Sequence, residues 1–297
     1  MALGGCMEIA LLGPLRVTAE GKPLNLGGYK SRTLLAVLAC HANEMVDADR
    51  LVDALWDGSP PRTATQNLRV YVYQLRRLLG SDRRVVWRRP GYALIVDKGE
   101  LDAEVFEDLA RQGRQALASA PAHAASLLVR ALRLWRGSAL ADFTDVRTLR
   151  TTAARLEERR LAAVEARVAA DLALGSHADL VGELSALVAE HPLREHLRAQ
   201  LMLSLCRSGR RAEALAVFRD FRRMLVTDLG VEPGPVLQQM HQAVLRDDEP
   251  LIGATPADHH ELRQIRIALR DLTRRLETLE AAGGAFTSHP RGPARCS

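Results

Sequence analysis

Apolar residues along the chain change their spacing repeatedly, and each change marks a new element. Between residues 8 and 26 they come in three short runs, Glu8–Leu12, Leu15–Ala19 and Lys22–Leu26, parted by Gly13-Pro14 and Glu20-Gly21, which predicts three strands joined by turns. From Lys30 to His41 the spacing turns helical, with Leu34, Leu35, Val37 and Leu38 as the buried set. A second helix runs through Leu51, Val52, Leu55 and Trp56, with Asp47 as its N-cap. A third carries Leu68, Val72, Leu75 and Leu79 as one stripe. Thr63 and Gln66 have the spacing of a capping box before it, and Gly80 stands where a helix ends in glycine. Val85–Trp87 and Tyr92–Val96 read as two strands, with Pro90-Gly91 at the centre of a type II turn.

Beyond Leu101 the pattern is helical throughout. Helices are predicted from Asp102 through Val105, Phe106 and Leu109, from Pro121 through Leu127, Leu128, Ala131, Leu134 and Trp135, and from Leu149 to Leu174. A repeat follows. Gly175 and Gly209 lie 34 residues apart, and the run Ala178-Asp179-Leu180-Val181 to Leu184 matches Ala212-Glu213-Ala214-Leu215 to Phe218, at the tetratricopeptide period. Residues 248–260 read as a linker. Across 261–280, Leu262, Ile265, Leu269, Leu272, Leu276 and Leu279 alternate by three and four, which fits a short coiled coil and a helix docked on the repeats equally; residues 281–297 read as a disordered tail. Trp56, Trp87 and Trp135 each fall in an apolar pattern and are expected in the core.

Composition narrows the function classes. At 297 residues and 47% hydrophobic, the chain has length for about two domains. Net charge is +5, and only Lys22, Lys30 and Lys98 are lysines among 41 basic residues. That bias, with abundant alanine and leucine, is the mark of a GC-rich genome, so clustering of arginine carries more weight than its number. Cys6, Cys40, Cys206 and Cys296 are far apart, with no C-x-x-C and no histidine at metal spacing, which argues against a disulfide framework or structural zinc. No apolar run approaches ~18 residues and no signal-peptide pattern opens the chain, so a cytoplasmic, nucleoid-associated protein without membrane contact is expected. Met7 is a candidate start, since residues 1–6 fit no element. The string GGYKS lacks phosphate-loop spacing, the nine histidines fit no ligand or nucleophile pairing, and no G-x-S-x-G occurs. The expectation is a non-enzyme with no cofactor.

Arginine does cluster. Between Pro60 and Tyr92 stand Arg62, Arg69, Arg76, Arg77, Arg83, Arg84, Arg88 and Arg89 against one acid, Asp82. A helix showing amides and guanidinium groups beside a basic hairpin suits duplex DNA: the helix enters the major groove and the hairpin meets phosphates or the minor groove. Helical spacing places Asn67, Arg69, Val70, Tyr73 and Gln74 toward base edges or the groove wall, Arg76 and Arg77 toward phosphates, and Arg88 and Arg89 on the hairpin tip. Tyr71 borders the buried stripe and fits packing and groove contact equally. The plainer reading of the cluster is a solvated basic face.

Taken in order, three strands, three helices and a hairpin resemble the winged-helix domain of OmpR-type response regulators. Within that group, GGYKSRTLLAVLA, LVDALW, LRVYVYQLRRLLG and RRPGYAL resemble the Streptomyces antibiotic regulatory protein family, and DLGVEPGPVLQQMHQAVL resembles the end of its bacterial transcriptional activator domain. The family's third helix often reads YVSRLRR where this chain has YVYQLRR, so its base preference is not carried over to Tyr73 and Gln74. The fold implied is mainly α with a small α+β domain: an N-terminal winged helix-turn-helix over 7–98 and an all-α tetratricopeptide-like helical repeat domain over 99–247. The resemblance further implies a transcriptional activator of a secondary-metabolite gene cluster. It would bind double-stranded DNA at promoter direct repeats, two subunits head to tail about one helical turn (~10.5 bp) apart. It would also touch RNA polymerase holoenzyme, including the sigma factor. The alternative from another class is a helical-repeat scaffold that binds protein and not DNA.

Overall fold

The computed structural model describes residues 7–81 and 83–246, divided between two compact units that part after Asp171. The linker, coiled-coil and tail expectations for 248–297 lie outside the described residues.

In the N-terminal unit, β1 (Met7–Ala10), β2 (Arg16–Ala19) and β3 (Lys22–Pro23) form an antiparallel sheet in that order, with Ile9 opposite Val17 and Ala19 opposite Lys22. Then come α1 (Tyr29–Ala39), β4 (Val46–Asp47), α2 (Ala48–Trp56), α3 (Ala64–Leu78), β5 (Val85–Arg88) and β6 (Gly91–Leu94). Strands β4, β6 and β5 make a second antiparallel sheet in that order. Asp47 caps α2 as expected, its Oδ1 accepting from Asp49 N at 2.8 Å. Helix α3 contains the β-prone run Val70-Tyr71-Val72-Tyr73, which local propensity disfavours in a helix. Burial overrides it: Leu68, Val72 and Leu75 are almost fully enclosed, worth roughly 5 kcal/mol together. Gly80, in the left-handed region at φ 69°, ends the helix as its position predicted.

The hairpin differs from expectation. Arg88 pairs with Gly91, so Arg89 and Pro90 are the two loop residues, and the Arg89–Pro90 peptide is cis. Pro90 thus occupies the third position of a type VI turn, and Gly91 belongs to the strand. A close approach explains the glycine: a Cβ on Gly91 would lie 2.6 Å from the Val46 carbonyl carbon and 2.8 Å from Asp47 Cα, both backbone atoms of β4. Gly91→Ala is therefore expected to pry β4 from β6, costing about 1–3 kcal/mol and accelerating amide exchange at Ala48, which donates to Pro90 O, before the rest of the unit. Unchanged melting and exchange would contradict that reading.

The apolar core does not stop at residue 98. Leu101, Phe106 and Ala110 of α4 (Asp102–Ala116), Leu128 and Ala131 of α5 (Pro121–Leu132), and Leu149, Leu156 and Ala163 of α6 (Arg147–Ala173) belong to the same cluster as Ile9, Leu35 and Leu68. Polar links reinforce it. The Asp102 carboxylate accepts from Leu11 N (2.7 Å) and Leu12 N (3.1 Å), while Asp142 Oδ2 accepts from Leu15 N (2.9 Å) and Arg32 Nη2 (2.5 Å). Burial, opposed by these bonds, pushes the Asp102 carboxyl above its ordinary range. The two small sheets, α1–α3 and the helices α4–α6 are thus one packed body.

The C-terminal unit contains α7 (His177–Glu190), α8 (Glu195–Arg207), α9 (Arg211–Leu229) and α10 (Pro235–Arg246). The 34-residue repeat is realised as two helix pairs. Gly175 and Gly209 both take positive φ ahead of α7 and α9, and Leu180 and Leu184 occupy the buried places that Ala214 and Phe218 fill one repeat later. Glu195 clamps the loop between α9 and α10, both carboxylate oxygens accepting from Gly234 N at 2.9 Å. His241 stacks on Phe218, ring centroids 3.9 Å apart. Desolvation holds both His177 and His241 below the ordinary imidazole range, helped by Arg207 and Arg219 respectively. Both rings bind a proton less readily folded than unfolded. Stability present above the ordinary imidazole value of about 6.5 should therefore fall as pH drops through the depressed values. A lower melting midpoint near about pH 5.5 than about 7.5, flattened in the His177→Gln/His241→Gln variant, is the expected result.

Candidate nucleic-acid interface

Helix α3 buries one face against α1 and α2 and leaves the other bare. Val70 is 44% exposed and Tyr73 59%, high for apolar and aromatic side chains in the middle of a helix. Arg69, Gln74 and Arg77 are exposed beside them. The hairpin adds Arg88 and Arg89, both exposed. Arg69, Arg77 and Arg89 are exposed and find no carboxylate among the described residues. Large side chains, amides and guanidinium groups on one helix face are groups that can contact base edges and phosphates in a major groove.

Other expected site residues are partly committed. Asn67 is half-buried, and its Nδ2 donates to Thr63 Oγ1 at 3.3 Å. The capping box is absent: Thr63 sits at φ −93°, ψ 9° and makes no side-chain cap bond. Ala64 N donates to Pro61 O at 2.9 Å, so the chain enters the helix already turned and Thr63 is not extended as an N-cap should be. Arg76 is half-buried, with Nε donating to Val85 O at 2.8 Å. It ties α3 to β5, which fixes the spacing between helix and hairpin. Arg88 Nη1 lies 3.5 Å from Asn43 O.

Arg84, one of the eight clustered arginines, turns inward. Its guanidinium donates Nη1 to Glu100 Oε2 (2.6 Å) and Nη2 to Glu100 Oε1 (2.7 Å), and Nη1 also reaches Ile95 O (3.3 Å). The bond to Glu100 holds Arg84 still more firmly protonated than usual. Tyr71 is half-buried, with its ring 6.3 Å from Trp56. Trp135 is core and Trp56 half-buried, but Trp87 is 52% exposed, against expectation. Its ring meets that of its cross-strand partner Tyr92, with centroids 4.8 Å apart and planes inclined by 71°, and is otherwise half open to solvent. An aromatic residue near a hairpin tip, two positions beyond a buried valine, was the signal available for this in the sequence.

Comparison with known proteins bears on what this surface belongs to. Residues 21–94 match the family described as "Transcriptional regulatory protein, C terminal", and residues 101–245 match "Bacterial transcriptional activator domain". The regulatory protein DnrI of Streptomyces peucetius is 42% identical over 253 residues, covering 82% of this chain and 93% of DnrI. The chain belongs to the Streptomyces antibiotic regulatory protein family.

Other members and relatives extend the likeness. The transcriptional regulator RedD of Streptomyces coelicolor is 37% identical over 256 residues, covering 84% of this chain and 73% of RedD. The regulatory protein AfsR of Streptomyces griseus is 41% identical over 262 residues, and there the chain spans only 26% of the relative's length. The solved structure of Mycobacterium tuberculosis EmbR in complex with a low affinity phosphopeptide aligns with a TM-score of 0.79 and 35% identity, over 82% of this chain and 66% of that one. The architecture expected from the sequence, a winged helix followed by an activator-type helical domain, is the architecture of this family. Among the described residues no helix is long and apolar enough to cross a membrane.

Proposed function

We propose that this family member regulates transcription by binding promoter DNA through α3 and the β5–β6 hairpin. The observation that carries the reading is the exposed face of Arg69, Val70, Tyr73, Gln74 and Arg77, with Arg88 and Arg89 on the adjoining hairpin. Arg69, Gln74 and Asn67 meet base edges, Val70 and Tyr73 pack on the groove wall, and Arg77 and Arg89 meet phosphates. Arg76 serves by holding β5 against α3, with less of its guanidinium left for phosphate than Arg77 has. Direct-repeat sites and two subunits one turn apart on one DNA face follow from the family, as do contact with RNA polymerase and its sigma factor, a secondary-metabolite target and a place in the cytoplasm on the nucleoid.

For the C-terminal unit a protein-contacting role is favoured by Val226, Leu229, Val231 and Val236, all exposed around the α9–α10 junction. That role accompanies DNA binding rather than replacing it. Footprinting of the full chain on its own genomic promoters tests the scheme. Two protected segments about one helical turn apart on the same DNA face are expected. Polymerase capture without protection of any duplex would favour the scaffold reading instead.

A further inference from the structure

Ser31 is a buried polar residue on α1, 5% exposed, and its hydroxyl donates to Oε1 of Gln74 at 3.1 Å. Thr33, one turn into the helix, bonds the carbonyl four residues back, Tyr29 O, at 2.9 Å, whereas the residue four before Ser31 is Gly27, which precedes the helix. Ser31 instead reaches across to α3 and holds one end of an amide whose other end is exposed. A free glutamine offers both an acceptor and a donor, the pair that matches adenine, with oxygen on N6–H and nitrogen on N7. Ser31 is buried, so the bond turns Oε1 inward, and although that oxygen keeps a second lone pair, the end of the amide that Gln74 turns outward is Nε2 with its two N–H bonds. Guanine shows two acceptors, N7 and O6, in the major groove, thymine shows one, adenine sets an amino group beside its single acceptor N7, and cytosine shows an amino group alone.

We propose that Ser31 is a positioning residue that makes Gln74 a donor-only reader, selecting guanine over adenine at the base pair it faces. The inference rests on the DNA-binding reading above. It assigns to a residue inside the fold the control of one base preference on its surface.

The test is selection from a library of duplexes randomised through the binding site, using the full chain and its Ser31→Ala, Gln74→Ala and Gln74→Glu variants. The wild type should enrich guanine at one position, and Gln74→Ala should lose preference there alone. Ser31→Ala, which removes no groove contact, should raise adenine relative to guanine at that position by about tenfold, with binding to scrambled duplex and the melting midpoint unchanged. In Gln74→Glu one carboxylate oxygen keeps the Ser31 hydroxyl and the other is an acceptor, so the position should turn to cytosine. Adenine at the Gln74-dependent position in the wild type overturns the proposal, as does a Ser31→Ala profile identical to wild type. A wild-type chain that enriches no sequence overturns the DNA-binding reading itself, and this inference with it.

Discussion

Replacing Arg84 by methionine is expected to destabilise the N-terminal unit by about 3–5 kcal/mol, a fall in melting midpoint on the order of 10 °C. The side chains of Arg84 and Glu100 are only 17% and 9% exposed, and the pair is bidentate. Without the guanidinium, Glu100 keeps Asp97 N (2.8 Å) but leaves its charge enclosed and uncompensated. Ile95 O loses a donor as well. Removing one partner of a buried ion pair costs far more than the pair is worth, because the remaining ion is no longer hydrated. Arg84→Met/Glu100→Leu should therefore recover most of the loss. The neighbouring exposed residue supplies the contrast: Arg83→Ala should leave melting unchanged and weaken duplex binding. Equal melting for Arg84→Met and Arg83→Ala, followed by circular dichroism, would refute the structural role of Arg84.

The second large effect separates reading from gripping. Arg69 stands in the middle of the exposed face of α3, beside Val70 and Tyr73, whereas Arg77 lies near its C-terminal end. An arginine on a base edge makes a bidentate bond to guanine that no other base offers. One on a phosphate sees the same partner in every sequence. Arg69→Ala should cost about 1–3 kcal/mol on the preferred duplex and flatten preference at one base pair. Arg77→Ala should weaken preferred and scrambled duplexes alike and reduce the salt slope by about one unit. If the two variants lose the same affinity on both duplexes, the division of labour is wrong.

Much of the fold was legible because it is local. The stripe Leu68, Val72, Leu75 fixed the orientation of α3, and with it the exposed positions of Arg69, Val70, Tyr73, Gln74 and Arg77. Asp47 and Gly80 marked helix ends through short-range chemistry, and the 34-residue recurrence marked the helix pairs. What escaped was set across the chain. Strand β4 is two residues long and pairs with β6, far on in sequence, so it leaves no periodicity of its own. The fates of Arg84 and Arg76 depend on Glu100 and Val85, and the amide of Gln74 on Ser31, none of them neighbours in sequence. A run of arginines predicts a charged surface without saying which members face it. The change of family match between residues 94 and 101 likewise gave no warning that the apolar core continues into α4, α5 and α6.

The salt dependence of duplex binding by the full chain tests the central claim most directly. If the exposed arginines of α3 and the hairpin meet phosphates, the logarithm of the binding constant should fall linearly with the logarithm of salt, by about 0.9 per phosphate engaged, and less steeply for Arg77→Ala. A duplex affinity that is absent at low salt, or insensitive to salt and to Arg77, would contradict it.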